Sequence, residues 1–141
     1  MNKLMKSLLL VSFFAFSLTQ VFGQENPFEG KWELQGVPEN AGIKFYKVFS
    51  PKGGFYNFRI IAGETIETHN GTYSVKDDSI LIEIVSPKTA DAMAHVSGQT
   101  TTIQYKFSED KKVLTLDGLA TNGNSNWHEV WKKVVEKPVA R

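Results

Sequence analysis

Two carboxylates stand in this chain where their neighbours two residues away are apolar, and a guanidinium and an amide stand together on another apolar segment. Glu83 lies between Leu81 and Val85, Glu129 between Trp127 and Trp131, and Arg59 between Asn57 and Ile61. In an extended chain, residues two apart share a face. If those neighbours face a core, Asn57, Arg59, Glu83 and Glu129 enter it together as an inward polar cluster. Burial pushes a carboxyl toward its neutral form unless a cation meets it, and Arg59 is the candidate partner. Two such carboxylates are the equipment of general acid–base chemistry and of glycosidic-bond cleavage. The opposite arrangement fits the same residues: the segment around Glu83 is apolar on both faces, so Ile80, Ile82 and Ile84 can form the inward set. Glu83 then points to water, as the cost of burying an unpaired charge favours.

Other chemistries find less support. The histidines are His69, His95 and His128, and none has another histidine at the i, i+2 spacing of a strand-borne metal site. His69 follows Glu67 by two residues, a possible pair, and otherwise reads as a hairpin-end residue facing water. His128-Glu129 begins like a zinc-protease helix motif but lacks its second histidine. No serine nucleophile motif stands on a suitable element. The chain has no cysteine, which removes thiolate metal sites and thiol catalysis. We therefore expect no catalytic set, no metal site and no cofactor.

Aromatic residues are the stronger clue. After residue 23 the chain keeps six phenylalanines, four tyrosines and three tryptophans. Tyrosine and tryptophan combine an apolar body with a polar tip, which suits a ligand pocket as well as a plain core. Strand alternation nominates Trp32, Phe58, Tyr73, Tyr105, Trp127 and Trp131 as lining residues.

The elements that must position these groups have a period of two. Strands are expected at 30–35, 43–49, 55–61, 65–69, 72–75, 79–85, 99–107, 112–116 and 127–135, with Ile103, Tyr105 and Phe107 on one face of their strand. Ser50-Pro51-Lys52-Gly53-Gly54 is a turn, and Asn70-Gly71 carries the two-residue hairpin signal. Asp117 to Asn126 reads as a Gly/Asn-rich loop, and 86–98 as an irregular stretch with a short helix over 89–95. Short connections make successive strands antiparallel neighbours, and closure removes exposed edges. The fold class expected is all-β: a single antiparallel up-and-down barrel of about eight strands, preferred over its main rival, a sandwich, because turn signals recur between consecutive strands in place of long crossovers.

Residues 1–23 have the build of a secretory leader. Lys3 and Lys6 precede an apolar run, Leu8 to Leu18, too short for a stable span, and Val21 and Gly23 have the spacing of a signal-peptidase cut. The expected organisation is a signal peptide, 1–23, and one domain, 24–141, periplasmic or extracellular, with no membrane span after cleavage. Loss of the two leader lysines moves the formal charge from +1 to about −1. That balance argues against nucleic acid as a partner. Asn70-Gly71-Thr72 matches an N-glycosylation sequon that the turn explains by itself, and Asp78-Ser79-Ile80 resembles a bacterial O-glycosylation acceptor.

Gly30-Lys31-Trp32 on the first strand resembles the Gly-x-Trp signature of lipocalins and related calycin barrels. The resemblance implies a tryptophan closing the barrel floor beside a base from the last strand, here Lys132 or Lys133. With Phe55-Tyr56-Asn57, Gly71-Thr72-Tyr73 and Trp127-x-Glu129-x-Trp131-Lys132-Lys133, the chain is similar to an uncharacterised family of secreted lipocalin-like proteins of Gram-negative bacteria. Three functions follow, in order: a binder of a small, largely apolar molecule in the barrel cup; a side-chain-filled barrel acting as a protein-interaction domain; and an enzyme using Glu83, Glu129 or a nearby histidine.

Overall fold

A computed structural model describes residues 25–87, 97–120 and 125–136. Eight antiparallel strands follow one another around a closed barrel: β1 (Gly30–Leu34), β2 (Ile43–Phe49), β3 (Gly54–Ile61), β4 (Glu64–Val75), β5 (Ile80–Val85), β6 (Thr100–Phe107), β7 (Val113–Leu119) and β8 (Ser125–Lys133). Each strand pairs with its sequence neighbour, and β1 closes on β8 through Trp32↔Lys133, Glu33↔Lys132 and Leu34↔Trp131. The all-β, up-and-down barrel expected from the period-two pattern is the fold observed, and no sheet edge is left unpaired.

Two sequence readings change. Asn70-Gly71 is not a hairpin: β4 runs through it, joining the expected strands at 65–69 and 72–75 and bringing the count to eight. A tight primed turn needs positive φ at its central residues, and neither Asn70 nor Gly71 has it. Gly71 is there for space, because a Cβ would run into the Ile84 carbonyl oxygen and press on the Phe55 ring. The tight turn is at Ala62-Gly63, where φ is 49° and 80°, between β3 and β4. The Gly/Asn-rich loop is also shorter than its composition suggests. Asp117 and Gly118 are ladder residues of β7, paired with His128 and Trp127. The expected helix over 89–95 and the leader lie outside the described residues.

Alternation decides what faces inward. On β6, Ile103 is fully buried, with Tyr105 and Phe107 packed against the core, while Thr102, Gln104 and Lys106 are exposed. On β7, Leu114 and Leu116 are fully buried. The segment before β1 then crosses one end of the barrel. The Phe28 ring meets Phe49, Tyr105 and Phe107 edge-on at centroid distances of 5.3, 4.9 and 4.8 Å. The Phe28 carbonyl accepts a hydrogen bond from Trp32 Nε1 at 2.8 Å. Tyr73 ties this plug to the wall: its hydroxyl donates to the Ser50 carbonyl at 2.8 Å and accepts from Asn26 Nδ2 at 2.6 Å. Edge-on ring pairs contribute about 0.5–1.5 kcal/mol each beyond the area they bury. One end of the barrel is therefore a packed aromatic floor.

Ala62 and Lys111, at φ 49° and 60°, are the strained points among the described residues, since a left-handed conformation costs a residue with a Cβ about 1–2 kcal/mol and asparagine tolerates it better. Ala62→Asn is expected to raise stability by up to about 1 kcal/mol, a part of the left-handed cost, seen as a higher urea midpoint at unchanged m-value. An unchanged or lower midpoint would contradict the strain.

Candidate functional site

The candidate site is a polar layer inside the barrel. β2 presents Lys47 inward, since it pairs with Trp32 on one side and Asn57 on the other. β5 presents Leu81, Glu83 and Val85 inward and turns Ile84 out, 47% exposed. Across the interior, Lys47 Nζ bonds Glu83 Oε1 at 2.6 Å, with the two residues only 3% and 6% exposed. The Lys47 ammonium also sits 4.7 Å from the centre of the Phe55 ring and 5.4 Å from that of Phe49. Each charge is desolvated, and each is answered by the other.

Around this pair stand four further side chains. Glu129 on β8 accepts a hydrogen bond at Oε2 from Trp131 Nε1, 2.9 Å. Burial raises its carboxyl above the ordinary range; the nearby Lys47 charge pulls the other way and Glu83 adds to the rise. His69 on β4 is paired with Asn57 and meets the Phe55 ring edge-on at 5.9 Å. Burial first, then Lys47, lowers its pKa to about 4, so it is uncharged at neutral pH. On β3, Asn57 and Arg59 share the inward face, opposite Lys47 and Phe45. Asn57 Oδ1 and Arg59 Nε are buried without a hydrogen-bond partner. A β-bulge interrupts the β3–β4 ladder at Asn57/Phe58, and Thr68 Oγ1 donates to the Asn57 carbonyl across it at 3.2 Å. Bulges re-aim side chains in this way beside sites.

Sequence-nominated residues scatter relative to this layer. Asn57, Arg59, Glu83 and Glu129 all point into the barrel, although the partner of Glu83 is Lys47 rather than Arg59. Trp32, Tyr73 and Tyr105 belong to the packed floor. Trp131 is buried and holds Glu129. Trp127 is half-buried, its indole lying where a side chain on Gly118 would have to go. Phe58 is a correction: it stands on the outer surface, stacked with Tyr46 at 5.1 Å and Tyr56 at 5.9 Å, with Lys31 Nζ 5.4 Å from its ring centre. The register pairs it with Tyr46 and Glu67, both outward. The His69–Glu67 pair also dissolves, since the bulge leaves Glu67 outside, bonded to Asn70 Nδ2 at 2.6 Å. Lys47 was missed, yet it lies between Phe45 and Phe49 as Glu83 lies between Leu81 and Val85, and the same reasoning finds it.

The remaining motifs have structural work. His128 pairs with Asp117 on the outer face at 2.6 Å. Asp77 Oδ1 accepts from the Ser79 hydroxyl and from the Ser79 and Ile80 amides, closing the β4–β5 turn. Lys133, not Lys132, stands beside the floor tryptophan, its Nζ 5.3 Å from the Trp32 ring centre. Among the described residues no group of histidine, cysteine and carboxylate side chains could hold a metal ion, and no helix is long and apolar enough to cross a membrane.

These features define a closed eight-stranded β-barrel with a packed floor and a charged layer above it. Residues 27–140 match the family described as Domain of unknown function (DUF4488), and the chain belongs to that family. A comparison with curated proteins returned no match.

Two outcomes test the polar layer. Lys47→Met leaves Glu83 buried and unpaired and is expected to cost about 3–5 kcal/mol, whereas Lys47→Met with Glu83→Leu regains most of it; urea denaturation of both variants measures the difference. His69 carries a pH dependence of known sign. Below pH 6.5 the unfolded chain binds a proton there that the folded barrel refuses until about pH 4, so this contribution falls on acidification across that window. Glu129 acts oppositely, its contribution fading as pH rises through its raised value. His69→Gln keeps Glu129 and is expected to flatten the fall in urea midpoint between about pH 6.5 and 4.

Proposed function

We propose that this chain is a lipocalin-like binding protein, exported after removal of residues 1–23, that holds a small, largely apolar molecule in the upper half of its barrel. The observation that carries the reading is a set of inward-facing side chains, above the polar layer, that the core leaves only partly buried. At the floor end, Phe28, Trp32, Phe49, Phe55 and Leu114 are buried. Toward the other end, Leu34, Phe45, Arg59, Ile61, Thr101 and Trp127 share the inward face yet remain half-buried. At the floor the partly buried Tyr73, Tyr105 and Phe107 pack on the Phe28 ring; the upper set is the one a ligand entering the barrel would meet. Eight strands enclose space for one small ligand at most. The mixture of apolar walls and a few directed polar groups is the composition that ligand pockets use.

The Gly30-Lys31-Trp32 start, with Lys133 beside Trp32, supports the lipocalin-like assignment. The two carboxylates serve as anchors of the polar layer in this reading: Lys47 occupies Glu83, and Trp131 holds one oxygen of Glu129.

The test uses the full chain expressed with its leader in a Gram-negative host. The mature mass is expected to begin at Gln24. The neutral apolar fluorophore N-phenyl-1-naphthylamine is expected to bind saturably at one per chain. Thr101→Trp, which directs an indole into the cup, is expected to abolish that binding while circular dichroism shows the barrel intact. Binding that never saturates, or that Thr101→Trp leaves unchanged, overturns the cup; an uncleaved leader overturns export.

A further inference from the structure

The charges inside the barrel do not balance group by group, and the imbalance specifies the ligand's polar end. Lys47 and Glu83 close on each other at 2.6 Å. His69 is uncharged at neutral pH, and Glu129 has its Oε2 taken by Trp131 Nε1 and makes no ion pair with Arg59 among the described residues. Arg59 remains. Its guanidinium is always protonated, it faces the interior, and among the described residues it makes no ion pair, while its buried Nε–H has no acceptor. Two residues earlier on the same face, Asn57 Oδ1 is a buried acceptor with no donor. The two sites are complementary in kind, one asking for an anionic acceptor and the other for a hydrogen-bond donor. Their backbone positions are about 6.6 Å apart along the strand, a span that one small polar group can bridge between the two side chains.

Resting on the cup reading, we propose that the ligand is a hydroxy acid with an apolar body. Its carboxylate lies against Arg59, its hydroxyl donates to Asn57 Oδ1, and its alkyl or aryl part points toward the half-buried Leu34, Phe45, Ile61 and Trp127. A plain carboxylate satisfies Arg59 and leaves Asn57 without a donor. An alcohol satisfies Asn57 and leaves the guanidinium unanswered, and a cation meets Arg59 as a like charge. A carboxylate accepting from a guanidinium inside a barrel is a charge-assisted bond, favoured by fork geometry and by exclusion of water.

Calorimetric titration with four ten-carbon probes tests this at pH 7.5: 3-hydroxydecanoate, decanoate, decan-1-ol and decyltrimethylammonium. Binding is expected to weaken in that order, with decanoate at least about tenfold tighter than the alcohol, as a hydrogen bond to a charged group implies. Arg59→Gln is expected to weaken both acids by about tenfold or more and to leave decan-1-ol unchanged. Asn57→Leu is expected to erase the advantage of the hydroxy acid over the plain acid. Equal binding of acid and alcohol by the wild-type chain, or an acid-to-alcohol ratio that Arg59→Gln does not move, overturns the head-group assignment and leaves the cup standing. Failure of all four probes, the alcohol included, overturns the cup and the assignment together.

Discussion

A lysine and a glutamate from different walls of the barrel, β2 and β5, meet at 2.6 Å in a space from which water is almost wholly excluded. The chain tolerates this because each charge is the other's only adequate solvent, and because the Phe49 and Phe55 rings present their faces to the ammonium. The pair settles the orientation of β5, whose two faces are almost equally apolar. With Glu83 inward, Leu81 and Val85 join the core and the three isoleucines face out. It also sets the field felt by its neighbours. The Lys47 charge helps keep His69 neutral and opposes the rise in the Glu129 pKa.

Below this layer the barrel is solid. Phe28 comes from the segment before the first strand and fills the end of the cylinder with ring contacts to four aromatics on three strands, while its carbonyl holds the Trp32 indole. Above it, inward side chains keep partial exposure. Two devices shape that upper region. The β-bulge at Asn57/Phe58 lets Asn57 and His69 look inward while Phe58 and Glu67 look out. Gly118 leaves bare backbone against which the Trp127 indole rests, in space that any Cβ there would take. The same economy of space governs Gly71, where β4 passes too close to the Ile84 carbonyl for any Cβ.

What could be read from the chain by itself is the part that depends on local geometry. Alternation with period two, punctuated by turn residues at short intervals, specifies antiparallel strands in meander order, and the need to bury edges turns eight of them into a barrel. The inward direction of Asn57, Arg59 and Glu129 follows from apolar neighbours two residues away, and so does that of Lys47. Glu83 was legible only as one of two alternatives, since the alternation around it carries no information. The outward turn of Phe58, the separation of His69 from Glu67 and the continuity of β4 through Asn70-Gly71 were not legible. Each depends on register between strands distant in sequence, and a one-residue bulge reverses the face of everything beyond it. Which groups pair across the interior is likewise a property of the closed barrel alone: Lys47 and Glu83 are 36 residues apart, and only curvature and strand stagger bring their side chains within a hydrogen bond.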